Sequence, residues 1–183
     1  MEKNPVTVSF LPTNIDYADF KSAAAQAGMQ RSERIFTRIV GISTIFAALL
    51  LQIYSFKSIT NSILFAVMAA AGIFVGFFNE IVAQYLVRRQ AFRYYDANTE
   101  KFIAQTIVFQ EDEMQFQTER YTAAIPYGLL YKAYEDSRVF IFYTGISEMR
   151  FIPKRAMNDS ECTRIRNILQ TKLQEKYQQE GAR

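Results

Sequence analysis

Hydrophobic and polar positions divide this chain into three regimes. Ile39–Phe56 is an uncharged apolar stretch, IVGISTIFAALLLQIYSF, and Ser58–Asn79 is a second, separated from the first by Lys57. Within the second, Ile63–Phe78 contains only apolar residues and glycines. At a rise of ~1.5 Å per residue the two stretches make ~27 and ~33 Å of helix, against a hydrocarbon core of ~30 Å. A chain this small has no interior that could cover two helices apolar on every face. The pattern therefore predicts a two-helix transmembrane hairpin.

The flanks follow different periods. Pro5–Phe10 alternates and is β-branched enough for a short strand, which Leu11–Asn14 breaks. Thr13 and Asp16 have capping-box spacing, and a helix is expected over Ile15–Ala27 with Tyr17, Phe20, Ala24 and Ala27 on one stripe. Gly28 is expected to interrupt it. Packing on the C-terminal domain is the preferred reading of this helix over lying on the membrane, because its basic content is low for an interfacial helix. From about Phe102 the period becomes two. FIAQTIVF, MQFQT, YTAAI, LLYKAYE, VFIFY and ISEMRFI read as successive strands, with turns at Gln110–Glu113, Glu119–Arg120, Pro126–Gly128, Asp136–Arg138 and Thr144–Gly145. After Pro153 the helical period returns. Asn158 and Glu161 form a capping pair, and Cys162, Ile165, Ile168, Leu169 and Leu173 form an apolar stripe. The polar Gln174–Arg183 is expected to fray.

The predicted fold class is thus an α+β membrane protein. A transmembrane hairpin is joined to a cytosolic antiparallel β-meander capped by a C-terminal helix, a pleckstrin-homology-like arrangement. The expected parts are residues 1–38, packing on the C-terminal domain; 39–94, the hairpin and its extension; and 95–183, the β-rich domain.

Charge placement adds a topology. Arg31, Arg34 and Arg38 precede the first span, only Lys57 lies between the spans, and Arg88, Arg89 and Arg93 follow the second. The positive-inside rule puts both termini in the cytoplasm and the Tyr54–Asn61 turn outside. The first 38 residues have no apolar core of leader length, so the first span is expected to act as an uncleaved insertion signal. The lone Cys162 excludes an intrachain disulfide and a cysteine-rich metal site. Histidine, the commonest general base and metal ligand, is absent. No enzyme activity, cofactor, metal or nucleic-acid partner is expected.

Several residues are candidates for more than structure. Gly72 and Gly76 form a GxxxG pair extended by Ala66, Ala69, Ala70 and Ala71. Such a face allows close helix approach, either to the first span of the same chain or to a second copy. Glu80 is interfacial if the boundary falls near Asn79, and an intramembrane carboxylate if the span shifts towards Val87; the first register already gives a full span. Arg88, Arg89 and Arg93 form a basic collar suited to anionic headgroups. Lys154 and Arg155 occupy a strand-to-helix corner. There they meet a headgroup, stay solvated, or pair with Glu111, Asp112 and Glu113, and a structural role is the preferred reading. Cys162 reads as a small core residue.

The segment FIPKRAM at Phe151–Met157, the N-terminal strand with an Asp16–Tyr17 helix, the paired spans and the β-rich tail together resemble the YcxB-like family of small bacterial membrane proteins. That family shows an Ile-Pro-Lys-Arg-x-Phe block before its last helix. Ile152, Pro153, Lys154 and Arg155 match it, and Met157 replaces the aromatic. The resemblance implies a bacterial inner-membrane location and a pleckstrin-homology-like cytosolic domain, and no activity.

The function expected is a membrane-anchored, non-catalytic binding module for a protein segment or lipid headgroup. The alternative is a membrane partner subunit or immunity-type protein acting through its spans. The expected partners are the lipid bilayer and a protein, or a homodimer through the second span.

Overall fold

The computed structural model describes residues 5–28, 31–54, 59–145 and 148–180. The chain forms two compact units. One joins Met1–Ala24 to Arg88–Arg183, and the other is Ala25–Val87.

The first unit holds two four-stranded sheets. In one, β1 (Val6–Phe10) pairs antiparallel with β2 (Gln105–Phe109), which pairs with β3 (Glu113–Thr118), which pairs with β4 (Thr122–Pro126). Val6, Val8 and Phe10 are buried while Thr7 and Ser9 are exposed, so the alternation turns one face of β1 to the core. Ile107, Phe109, Met114 and Phe116 continue that face across β2 and β3. The other sheet has the order β7-β6-β5-β8, from β5 (Lys132–Glu135), β6 (Val139–Tyr143), β7 (Met149–Pro153) and β8 (Tyr177–Gln179). All five residues of β6 are buried, which explains its unbroken run VFIFY. Phe142 of β6 approaches Phe109 and Phe116 of the first sheet at ring-centroid separations of 6.0 and 6.5 Å, so aromatic packing joins the sheets.

Two helices complete this core. In α1 (Asn14–Gly28), the Thr13 amide donates to Asp16 at 2.7 Å and the Asp16 amide donates back to the Thr13 hydroxyl at 3.3 Å, closing the capping box with aspartate. Of the expected stripe only Phe20 is fully buried; the inward face is Asp16, Ala18, Phe20, Ser22 and Ala23. Tyr17 is instead half-buried between the rings of Tyr94 and Phe102. An apolar count could not select a buried aspartate. In α5 (Asp159–Leu173), Asn158 and Glu161 make a complete capping box, and Ile165, Leu169 and Leu173 are buried. Cys162 and Ile168 lie half-buried beside them.

Two expectations need correction. The strands do not form one meander: the chain leaves the first sheet after β4 and starts the second at β5. Nor does the whole C-terminal segment fray. Gln174–Lys176 forms a 3-10 turn and β8 pairs parallel with β5. That pairing uses backbone groups, which leave no hydropathy signal.

In the second unit, α2 (Arg31–Tyr54) lies beside α3 (Ile59–Phe77), which passes through a π-helical turn at Phe78–Val82. The next helix, α4 (Ala83–Asp96), contains the boundary between the units. Among the described residues one helical segment, Ile35–Ile53, is long and apolar enough to cross a membrane; Ser62–Phe77 is apolar but shorter. Lys57, central to the expected turn, lies outside the described residues.

Leu169 is fully buried. Leu169→Ala should destabilise the first unit by about 2–5 kcal/mol, measured by denaturant unfolding followed by circular dichroism. A change within about 0.5 kcal/mol is a surface outcome and would contradict the packing of α5.

Candidate functional site

The corner after β7 is built by Pro153, which ends the strand, and by a 3-10 turn at Lys154–Ala156. The Lys154 amide donates to the Arg138 carbonyl at 2.8 Å, fixing the turn against the β5–β6 connection. From here the two basic side chains reach different buried carboxylates.

Lys154 Nζ donates to Glu135 Oε1 at 2.6 Å and lies 4.9 Å from the centre of the Phe140 ring. Glu135 is 0% exposed. Arg166 of α5 reaches it from Nη2 to Oε1 at 2.6 Å and from Nε to Oε2 at 3.1 Å, and the Tyr177 hydroxyl donates to Oε2. One buried carboxylate thus takes two cations and a phenol. Burial alone would push the Glu135 carboxyl up. The bonds from Arg166, Lys154 and Tyr177 outweigh it and hold the group below its ordinary value.

Arg155 engages Asp16 with both arms of its guanidinium, Nε to Oδ1 at 2.7 Å and Nη2 to Oδ2 at 2.5 Å. The same Nη2 donates to the Leu11 carbonyl at 3.2 Å. Asp16 also accepts from the Thr13 hydroxyl at 2.7 Å. Burial raises this carboxyl too, and the Arg155 and Thr13 bonds bring it below its ordinary range.

Of the three alternatives for the corner, pairing with Glu111, Asp112 and Glu113 is not what the structure has: the partners are Glu135 and Asp16. Asp112 pairs with Lys172 at 3.0 Å, and Glu113 accepts from Gln115 at 3.0 Å. Lys154 and Arg155 serve as internal counter-ions, as the structural reading had it, but to carboxylates far away in sequence.

The collar is divided. Arg88 is bound to Asp19, whose Oδ1 also accepts from Arg138 Nη1 at 2.6 Å. Arg89 and Arg93 are exposed. Glu80 falls in the π-helical turn, and its side chain lies outside the described residues. Cys162 is half-buried, and burial pushes its thiol up, away from the reactive thiolate.

Gly72 packs inside the chain. A Cβ there would stand 2.7 Å from Ile45 Cγ1 and 2.8 Å from the Gly41 carbonyl oxygen. A Cβ on Gly41 would stand 2.7 Å from the Gly72 carbonyl oxygen and 2.9 Å from Gly76 Cα. Gly72 and Gly76 of α3 therefore meet α2 at Gly41, while Ala66, Ala70 and Ala71 of the same small-residue set are exposed. A second copy could reach Gly72 only by displacing α2.

Sequence reasoning also missed Glu135, Asp19, Arg138, Arg166 and Tyr177. For Glu135 a signal existed: a carboxylate within the strand segment LLYKAYE, next to a fully apolar strand, needs a buried cation.

Both carboxylates titrate below their ordinary values, so the unfolded chain binds more protons in acid. Their stabilisation is complete above the ordinary values of 3.8 for Asp16 and 4.5 for Glu135, and is lost as pH falls through the lower folded values. Denaturant unfolding from about pH 6 to about pH 2 should show this loss, with a flatter profile in Glu135→Gln. At neutral pH that variant should lose about 3 kcal/mol, because Lys154 and Arg166 are left without their carboxylate. An unchanged profile would contradict the pairing. Separately, Gly72→Val should push α2 and α3 apart and lower the thermal midpoint of the detergent-solubilised chain, whereas Gly28→Val, with open space around its Cβ position, should move it less.

Comparison with known proteins gives a family match. Residues 109–169, from the end of β2 into α5, match the family model described as YcxB-like protein. No curated protein and no solved structure matches the chain. The matched segment includes Glu135, Lys154, Arg155 and Arg166. Residues 109–169 are thus similar to the YcxB-like family, the family that the sequence resembles.

Proposed function

We propose that this protein is a membrane-anchored, non-catalytic binding module. In this reading residues 39–79, within the second unit, form a two-span hairpin in the bacterial inner membrane, both termini are cytoplasmic, and the first unit is a pleckstrin-homology-like domain that receives a protein segment.

The observation that carries the reading is the inverted packing of the second unit. Gly41 and Gly72 are buried between the helices. Phe36, Ile39, Ile42, Phe46, Leu50 and Ile53 of α2, and Ile63, Val67, Phe74 and Phe77 of α3, face outward. Water does not favour that arrangement, whereas lipid does: interfaces between membrane helices select small residues, and large apolar ones face the acyl chains.

The strand order favours an even number of crossings. β1 precedes residues 25–87 and β2 follows them, yet β1 and β2 pair through five residues. Both ends of the insertion therefore start from one folded unit, which a single crossing would divide. The arginine bias gives the same topology. Two four-stranded sheets with a C-terminal helix buried along one stripe support the pleckstrin-homology-like description.

The choice of ligand follows from the charges. Arg88, Lys154 and Arg155 are bound to Asp19, Glu135 and Asp16, which leaves Arg89 and Arg93 as headgroup anchors at ~1 kcal/mol each. That suits holding depth in the bilayer more than recognising a lipid. The alternative of a partner subunit acting through the spans needs the Gly72 face, which Gly41 covers.

Two measurements test this. The full chain should stay in the membrane pellet after alkaline carbonate extraction. Reporter fusions after Glu180 and within residues 57–61 should report opposite sides. Release by carbonate would end the anchored reading, and an extracytoplasmic signal from the C-terminal fusion would end the topology.

A further inference from the structure

We infer that the outer edge of β5 is a docking site for an extended peptide of a partner protein, kept closed by the chain's own β8. This rests on the binding-module reading and names its ligand class as a peptide strand carrying a tyrosine.

The closure is short. Ala133, Tyr134 and Glu135 pair in parallel with Tyr177, Gln178 and Gln179, and the Glu180 amide donates to the Glu135 carbonyl at 2.8 Å. Gln178 and Gln179 are exposed, while Tyr177 is half-buried and directs its hydroxyl to the buried Glu135. Without β8, β5 would be an edge strand beside α5, with a row of unpaired backbone groups.

The hinge is strained. Gln174, which caps α5 and turns the chain towards β8, has φ 49° and ψ −115°, the sole positive φ outside glycine among the described residues. A side chain disfavours that conformation, which persists only where surrounding contacts enforce it. Here the enforcing contacts are those of the strand that the hinge delivers and of Lys176, whose Nζ donates to the Leu130 carbonyl at 3.3 Å. An incoming strand makes the same ladder without the bend, the mode of recognition in which main-chain bonds supply affinity and side-chain positions supply specificity.

The register defines the ligand. Its residue opposite Ala133 must carry a phenol that reaches Glu135, as Tyr177 does. The following two positions face solvent and tolerate polar residues, as Gln178 and Gln179 show.

The test uses the full chain in detergent micelles and a fluorescein-labelled peptide with the sequence of residues 175–180. The doubly substituted Tyr177→Ala/Gln178→Pro chain should bind this peptide. The unsubstituted chain should bind it at least about tenfold more weakly, because β8 competes. The Tyr177→Phe version of the peptide should also bind about tenfold more weakly, having lost its bond to a charged acceptor. No binding by the opened chain with a native circular-dichroism spectrum, or equal binding of the Phe peptide, would overturn the proposal. Should the double variant unfold, hydrogen exchange decides. Amides of Gln178–Glu180 should exchange faster in Tyr177→Phe and slower in Gln174→Gly, with β6 unchanged, and unaltered rates overturn the proposal equally. Carbonate extraction is indifferent to all of these outcomes, so the docking site fails separately from the membrane anchor.

Discussion

The architecture depends on one buried carboxylate near the start of the chain. Asp16 is 3% exposed. It closes the N-terminus of α1 through Thr13, and it receives both arms of a guanidinium 139 positions later in sequence. Helix capping and charge neutralisation are met by the same two oxygens. Removing the arginine would leave a buried charge held only by Thr13, and such charges are tolerated only when paired and hydrogen-bonded. Together with the pairing of β1 and β2, this bond makes the first residues of the chain part of a unit completed only after residue 88. The apolar residues between become an insertion within a sheet.

Several basic residues that resemble ligand contacts are explained by the same logic. Among them, Arg88, Lys154 and Arg155 each belong to a carboxylate that is largely buried. The Ile-Pro-Lys-Arg block places two cations back to back on a turn one residue after proline ends a strand. From that turn one side chain serves the second sheet and the other serves the N-terminal helix. The block belongs to the matched segment, and its chemistry in this fold is neutralisation. Arg89 and Arg93 stand apart as exposed cations of α4.

Local order was legible in the sequence where one residue's neighbours decide its state. The Thr13–Asp16 and Asn158–Glu161 boxes, the buried stripe Ile165–Leu169–Leu173 and the six strand segments after Phe102 follow from spacing alone. What decides pairing lies far away in sequence and leaves no local mark. Alternation marks Val6–Phe10 as a strand without identifying β2 as its partner. Asp16 carries no mark that Arg155 will reach it. β8 has no apolar pattern, since a backbone ladder and one phenol hold it. Gly41 was hidden within a stretch already explained as apolar, although a glycine there is what lets Gly72 approach.

The central claim is that residues 25–87 are inserted between two adjacent strands, and a cross-link tests it most directly. Ser9 of β1 faces Thr106 of β2, their hydroxyls 2.8 Å apart. Residues directly opposite on antiparallel strands have Cβ atoms about 4.5–5.5 Å apart, close to the range of a disulfide. With Cys162→Ser removing the native thiol, Ser9→Cys/Thr106→Cys should form an intrachain disulfide under mild oxidation in native membranes. It would be seen as a faster-migrating band that dithiothreitol abolishes. A chain that stays reduced, or that cross-links only to a second copy, would contradict the insertion and the even-crossing topology that depends on it.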